Sequence, residues 1–151
     1  TELVVGDGFR YVAETANRFD VILVDSTDPA GPGAILFGRP FYEHCQRILN
    51  PGGILVTQNG VPFMQAGELT TSYGHFKALY ADAGCYLAAV PSYSWGVMAL
   101  GWAALATGYR EIDRATLERR IAAVAPETRY YNAECHQGAF LLPRYVRDLL
   151  R

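Results

Sequence analysis

Asp25 and Asp28 stand three positions apart where an apolar run gives way to turns, in the stretch VILVDSTDPAGPG from Val21 to Gly33. Paired carboxylates bind cations, and one held partly out of water can also take a proton from an amine. Asp28 precedes Pro29, which pushes its backbone toward an extended conformation rather than into a helix. Gly31, Pro32 and Gly33 then let the chain bend sharply over a ligand. The same residues also suit an Asx-turn with a helix cap farther on. A divalent metal is a poor fit, because the stretch lacks the additional oxygen ligands and the glycine of a calcium loop. A third carboxylate, Asp7 of Gly6-Asp7-Gly8, comes after another apolar run. Beside so small a neighbour it can accept from the exocyclic amine of a flat ring such as adenine, or it is an ordinary turn aspartate.

The elements that carry these groups read as strands and helices in alternation. Leu3 to Val5 and the largely apolar FDVILVD ending at Asp25 have the continuous character of parallel strands covered on both faces, and ILVTQ, ending at Gln58, is a third. Helical spacing predicts helices over Phe9–Arg18 and Arg39–Leu49, the second stopped by Asn50-Pro51-Gly52-Gly53, and another over Gly67–Ala83. Asp113 is placed to cap a helix in IDRATLERRIAAVA, and LPRYVRDLLR is a short amphipathic helix. This alternation predicts an α/β, Rossmann-like open sheet, mostly parallel with helices on both faces and finished by an antiparallel hairpin. In such sheets ligands sit beyond the carboxyl ends of the strands. Asp7-Gly8, Asp25 to Asp28 and Gln58-Asn59 would therefore face one crevice.

Composition narrows the classes of function. The 151 residues are one domain in size, 50% hydrophobic and 19% charged, as a chain with a sizeable core should be. A net charge of -2, with acidic residues spread out, gives nothing to attract nucleic acid or an anionic membrane. Between Asp82 and Arg110 the chain is uncharged for long enough to span a bilayer, but Pro91, Ser92, Tyr93, Ser94 and Gly96 interrupt it. Two strands, CYLAAV and VMALGWAALA, joined at a polar corner are the better reading. Cys45, Cys85 and Cys135 form neither a disulfide framework nor a CxxC pair, which suits a reducing cytoplasm. Neither His44-Cys45 nor Cys135-His136 has the gap of a metal-ligand pair, so no metal is expected.

The segments VVGDGF, FDVILVDSTDPAGPG, LNPGGILVTQNG, VPSYSWGVMALGWA and RYYNAECHQGAFLLP resemble, in order and approximate spacing, the spermidine synthases, the polyamine aminopropyltransferases. The D-x-x-D-P-x-G-P loop is the most specific part, and the Tyr130-Tyr131-Asn132 to Pro143 tail adds independent support. The resemblance implies transfer of an aminopropyl group from decarboxylated S-adenosylmethionine to a diamine, usually putrescine, releasing 5'-methylthioadenosine. It implies that Asp7 with Gly8 reads the adenine and that Pro32 borders the methylthioadenosine moiety. Asp25 would be the general base, and Asp25, Ser26, Thr27 and Asp28 would hold the amine, with Gln58 and Tyr93 in the same pocket. No cofactor beyond the co-substrate is implied, and family members are commonly dimers or tetramers.

The chain departs from the family at Gly33-Ala34-Ile35, where many members carry an acidic residue, a difference that bears on the lid and on amine preference. The family's glycine-rich loop, ribose-binding acid and small N-terminal β-domain would precede Thr1. Residues 1–151 are therefore expected to form the C-terminal part of a catalytic domain. A methyltransferase using S-adenosylmethionine is an alternative, although the acidic loop opposes that substrate's carboxylate. A non-catalytic paralogue of the same fold is another.

Overall fold

The computed structural model describes residues 1–92, 96–124 and 128–151, so the expected pocket residue Tyr93 and its neighbour Trp95 lie outside the described residues. Its elements are α1 (Gly8–Glu14), β1 (Phe19–Val24), a 3₁₀ helix (Gly31–Phe37), α2 (Arg39–Ile48), β2 (Leu49–Gln58), α3 (Ala66–Leu79), β3 (Asp82–Ala89), β4 (Val97–Ala104), α4 (Arg114–Val124), α5 (Ala133–Ala139) and α6 (Arg144–Leu149). The four strands form one sheet in the order β1-β2-β4-β3. β1 and β2 are parallel, while β4 runs antiparallel to both β2 and β3.

Alternation along β2 sets the two faces. Leu55 and Thr57, opposite Ala103 and Gly101 of β4, look toward α2 and α3. There Tyr42, Cys45, Ile48, Leu55, Phe76 and Ala103 make the main core. The rings of Tyr42 and Phe76 meet edge to face, with centroids 4.8 Å apart. On the other face Phe140, just past α5, sets its ring edge-on to Trp102 of β4 at 6.4 Å. Helices thus cover both faces, and a second cluster of Leu69, Cys85, Ala99 and Val146 brings α6 against α3. The uncharged run from Asp82 to Arg110 folds as the β3–β4 hairpin, and no helix among the described residues is long and apolar enough to cross a membrane.

Three expectations are corrected. Leu3 to Val5 is not a strand: Leu3 and Val5 are 87% and 92% exposed. A parallel strand exists only through its ladder, and this segment has no partner strand among the described residues. The sheet is consequently mixed, with one parallel and two antiparallel pairings. Second, α1 stops at Glu14, because Thr15 turns extended and its Oγ1 accepts from the Asn17 backbone N–H at 3.1 Å. Third, Asn50 to Gly53 belong to β2 as an irregular entry, since the register jumps from Phe19↔Leu49 to Val21↔Ile54. Gly52 at φ +78 makes the bend, and Asn50 Nδ2 donates to Asp20 Oδ1 at 2.8 Å to hold it.

Candidate active site

β1 delivers Asp25 one residue past its last hydrogen-bonded position. The side chain is exposed and has no hydrogen-bond partner among the described residues. It shares with Gly8 the wall of an open groove of about 410 Å³ that runs along β1 beside Tyr11 and Leu36. The loop beyond it is tight rather than slack. The Ala30 N–H donates to the Asp28 carbonyl at 2.7 Å, and a Cβ at Gly33 would fall 2.9 Å from Thr27 Oγ1. Pro32 then sits in the first turn of the 3₁₀ helix, with the fixed φ that such a turn uses. The Gly-Pro stretch, read from sequence as a hinge over the ligand, is therefore the start of an ordered element.

Asp7 caps α1: its Oδ1 accepts from the backbone N–H groups of Phe9 and Arg10 at 2.9 and 3.2 Å. The cap occupies that oxygen only, and it fixes the carboxylate of the residue before Gly8, which lines the groove. Gln58 closes β2 and is buried at 4% exposure, its Oε1 lacking a hydrogen-bond partner among the described residues. The next residue, Asn59, is wholly buried and accepts with Oδ1 from Thr57 Oγ1 at 2.7 Å and from the Gly101 N–H at 3.1 Å. Gly8 and Asp25 thus border one groove, with Asp7 next to Gly8 in the chain, whereas Asp28 and Gln58 do not line it.

Asp28 is tied to the turn after β2 by Gln65, which like Glu68 is a residue that the sequence did not single out. Gln65 Nε2 donates to Asp28 Oδ1 at 3.0 Å and to Glu68 Oε2 at 3.4 Å, while Gln65 Oε1 accepts from the Val61 N–H at 2.9 Å. The turn between β2 and α3 permits this closeness through Gly60, at φ +69, where a Cβ would lie 2.6 Å from Gln65 Oε1. Burial, with Asp28 as the second cause, pushes the Glu68 carboxyl from 4.5 up to about 7. Tyr42 of α2, pushed by burial up to about 12 and bonded to Ser72 Oγ at 3.1 Å, also senses Glu68.

Of the buried side-chain polar atoms without partners among the described residues, Gln58 Oε1 and Glu68 Oε1 are acceptors at this strand end. Asn59 Nδ2, a donor, lies on the Tyr42 side. With Asp25 and Asp28, the site holds acceptors in excess of donors, a setting that an alkyl ammonium satisfies and an anion does not. No group of three or more His, Cys, Asp or Glu side chains among the described residues is arranged to hold a metal.

The raised Glu68 carboxyl makes stability depend on pH. Because the fold favours the protonated form, its contribution is complete below the unfolded value near 4.5 and is lost as pH rises through about 7. Glu68→Gln should therefore raise the melting temperature at about pH 8 by roughly 2–4 °C, and leave it unchanged at about pH 4. The shift is small because water screens a side chain that is only partly buried. Melting curves at the two pH values check it, and equal effects at both would contradict the assignment.

Comparison with known proteins places this geometry. A family model described as the spermine/spermidine synthase domain matches residues 1–113. A polyamine aminopropyltransferase of Ruegeria sp. (strain TM1040) is 53% identical over 147 residues, covering 97% of this chain and 52% of that protein. One from Pseudomonas syringae pv. tomato is 51% identical over 144 residues, covering 95% of this chain and 50% of that protein. The crystal structure of a spermidine synthase in complex with the transition-state analogue AdoDATO superposes with a TM-score of 0.88 at 30% identity, over 99% of this chain and 50% of that one. A spermidine synthase from Thermotoga maritima does so with a TM-score of 0.85 at 29% identity, over 99% of this chain and 49% of that one. The chain spans about half the length of the relatives it matches.

Proposed function

The chain belongs to the spermine/spermidine synthase family, and from that premise we propose that it supplies the amine half of an aminopropyltransferase active site. The reaction is transfer of the aminopropyl group of decarboxylated S-adenosylmethionine to putrescine, giving spermidine and 5'-methylthioadenosine. The observation that carries this reading is the gathering of acceptors at the ends of β1 and β2: a free Asp25, an Asp28 anchored by Gln65, and the unpartnered oxygens of Gln58 and Glu68.

Each group then has a task. The amine arrives as an ammonium, which has no lone pair to attack with. Asp28 and the loop through Ser26 and Thr27 hold it, while Asp25, whose oxygens are uncommitted, accepts its proton. The freed nitrogen forms a bond to the propyl carbon next to sulfur as the carbon–sulfur bond breaks. The bonding pair moves to sulfur and neutralises the sulfonium, so the leaving group needs no acid. Catalysis is thus deprotonation plus alignment of nitrogen, carbon and sulfur. Asp7 and Gly8 are the adenine contacts, Pro32 borders the methylthioadenosine moiety, and Gln58 and Tyr93 take part in holding the amine.

We further take residues 1–151 as the C-terminal part of a catalytic domain. The relatives are about twice as long, and the free side of β1 exposes Leu23 at 73%. An open apolar edge of that kind is where further strands pair. Three unpaired thiols, two of them buried, fit a cytoplasmic protein, and a homo-oligomer completes the proposal. The aminopropyltransferase names of the relatives favour this chemistry over methyl transfer. The test is an assay of the full-length protein with decarboxylated S-adenosylmethionine and putrescine, tracking methylthioadenosine. Formation of spermidine is expected; turnover of S-adenosylmethionine as a methyl donor instead would reject the reading.

A further inference from the structure

We infer that Glu68, on α3 and outside the aspartate loop, is a second amine-binding carboxylate that shares one ammonium group with Asp28 across the bridging amide of Gln65. The inference rests on the aminopropyltransferase reading and assigns a specificity-determining residue to it.

The geometry of Gln65 makes the case. Its Oε1 is fixed by the Val61 N–H, so the amide cannot flip without losing that bond. Its two N–H protons are then directed at Asp28 Oδ1 and Glu68 Oε2, one on each side. A single NH₂ group thereby sets the spacing of two carboxylates contributed by different elements. Each keeps an oxygen that Gln65 does not use, and that of Glu68, Oε1, is buried without a partner among the described residues. A carboxylate oxygen in that position is costly unless a proton or a cation meets it.

The helix start points the same way. Gln65 is the N-cap of α3 and Glu68 its third residue, the spacing at which side chains usually satisfy the first-turn N–H groups. Gln65 makes no such cap bond; its side chain is turned out to Val61 and Asp28 instead. A residue chosen for helix stability at this position would be serine, threonine or aspartate. The arrangement is also held from the sheet side. Gly60 leaves no room for a side chain, a Cβ there falling 3.1 Å from Glu68 Oε2. Two residues earlier, Gln58 is more than nine-tenths buried and brings a second unpartnered oxygen to the same strand end.

The experiment is steady-state kinetics of the full-length enzyme and its Glu68→Gln and Glu68→Asp variants, varying putrescine and decarboxylated S-adenosylmethionine separately. Glu68→Gln should raise KM for putrescine about tenfold or more, the loss of one charged hydrogen bond. It should leave KM for the nucleoside unchanged and move kcat by no more than about threefold. Glu68→Asp should recover part of the amine affinity. Because the glutamine variant is expected to melt no lower than the parent at about pH 8, misfolding does not account for that pattern. An unchanged putrescine KM, or equal rises for both substrates, overturns the role of Glu68 while the parent's turnover leaves the aminopropyltransferase reading standing. A parent enzyme that forms no spermidine overturns that reading, and this inference with it.

Discussion

In the full-length enzyme, Asp25→Asn is expected to lower kcat by about 10²–10⁴-fold, the range that a positioned general base contributes. Asparagine keeps the size of the side chain and an oxygen acceptor, so the amine still has a partner. It lacks the charge and basicity needed to carry the proton away. Asp28→Asn should act differently, because Asp28 Oδ1 is already engaged by Gln65 Nε2. Its loss weakens the hold on the ammonium and raises KM for the amine more than it lowers kcat. Neither change threatens the fold, as both side chains are exposed and Asp25 bonds to nothing among the described residues. Kinetics with saturating nucleoside, together with melting curves, separates the two roles. A kcat within about tenfold of the parent for Asp25→Asn would remove Asp25 from the base position.

The aspartate loop itself is legible in the sequence because it is local. A continuous apolar run ending at Asp25 is read as a strand from its own few residues, and Pro29 and the glycines punctuate the loop beyond it. The β3–β4 hairpin is readable for the same reason, from the polar residues at its corner. Glu68 and Gln65 leave no such mark. They belong to the first turn of α3, and they meet Asp28 only because Gly60 bends the chain back after β2. The one local sign is glutamine and glutamate at the start of a helix in place of a good cap, which spacing alone does not connect with a loop 37 residues earlier. Leu3 to Val5 fails in the opposite direction. Its composition suits a strand, but strand formation is a property of a pair, and the partner is not in the local sequence. The Asn50-to-Gly53 stretch reads as a helix stop and is one, yet it also feeds an irregular entry into β2, visible only once the register with β1 is known.

The strand end that carries Gln58 depends on a contact in which a single methyl group has no room. Gly101 of β4 donates its N–H to Asn59 Oδ1 at 3.1 Å, and the same oxygen takes Thr57 Oγ1 at 2.7 Å. A Cβ at position 101 would collide with that oxygen and fall 2.9 Å from the Phe76 ring. Asn59 and Phe76 are both at 0% exposure, so neither has solvent to move into. Gly101→Ala must part β4 from β2 or expel the Asn59 side chain, and either leaves buried polar groups unpaired. Overpacking costs about 1–3 kcal/mol and an unsatisfied buried group a similar amount, so a loss of about 3–5 kcal/mol is expected. At roughly 2–4 °C per kcal/mol the melting temperature should fall by roughly 10 °C. Asn59→Ala should also destabilise, but Gly101→Ala added to it should cost much less than it does alone, because the oxygen it collides with has gone. Additive losses would place the strain elsewhere, against Phe76. Where the enzyme still folds, displacing Asn59 drags its neighbour Gln58 out of register, so the amine KM should rise while that for the nucleoside holds. A core glycine of β4 thus bears on the position of the proposed amine contact Gln58, since its hydrogen bond to Asn59 lies one residue beyond Gln58 at the end of β2.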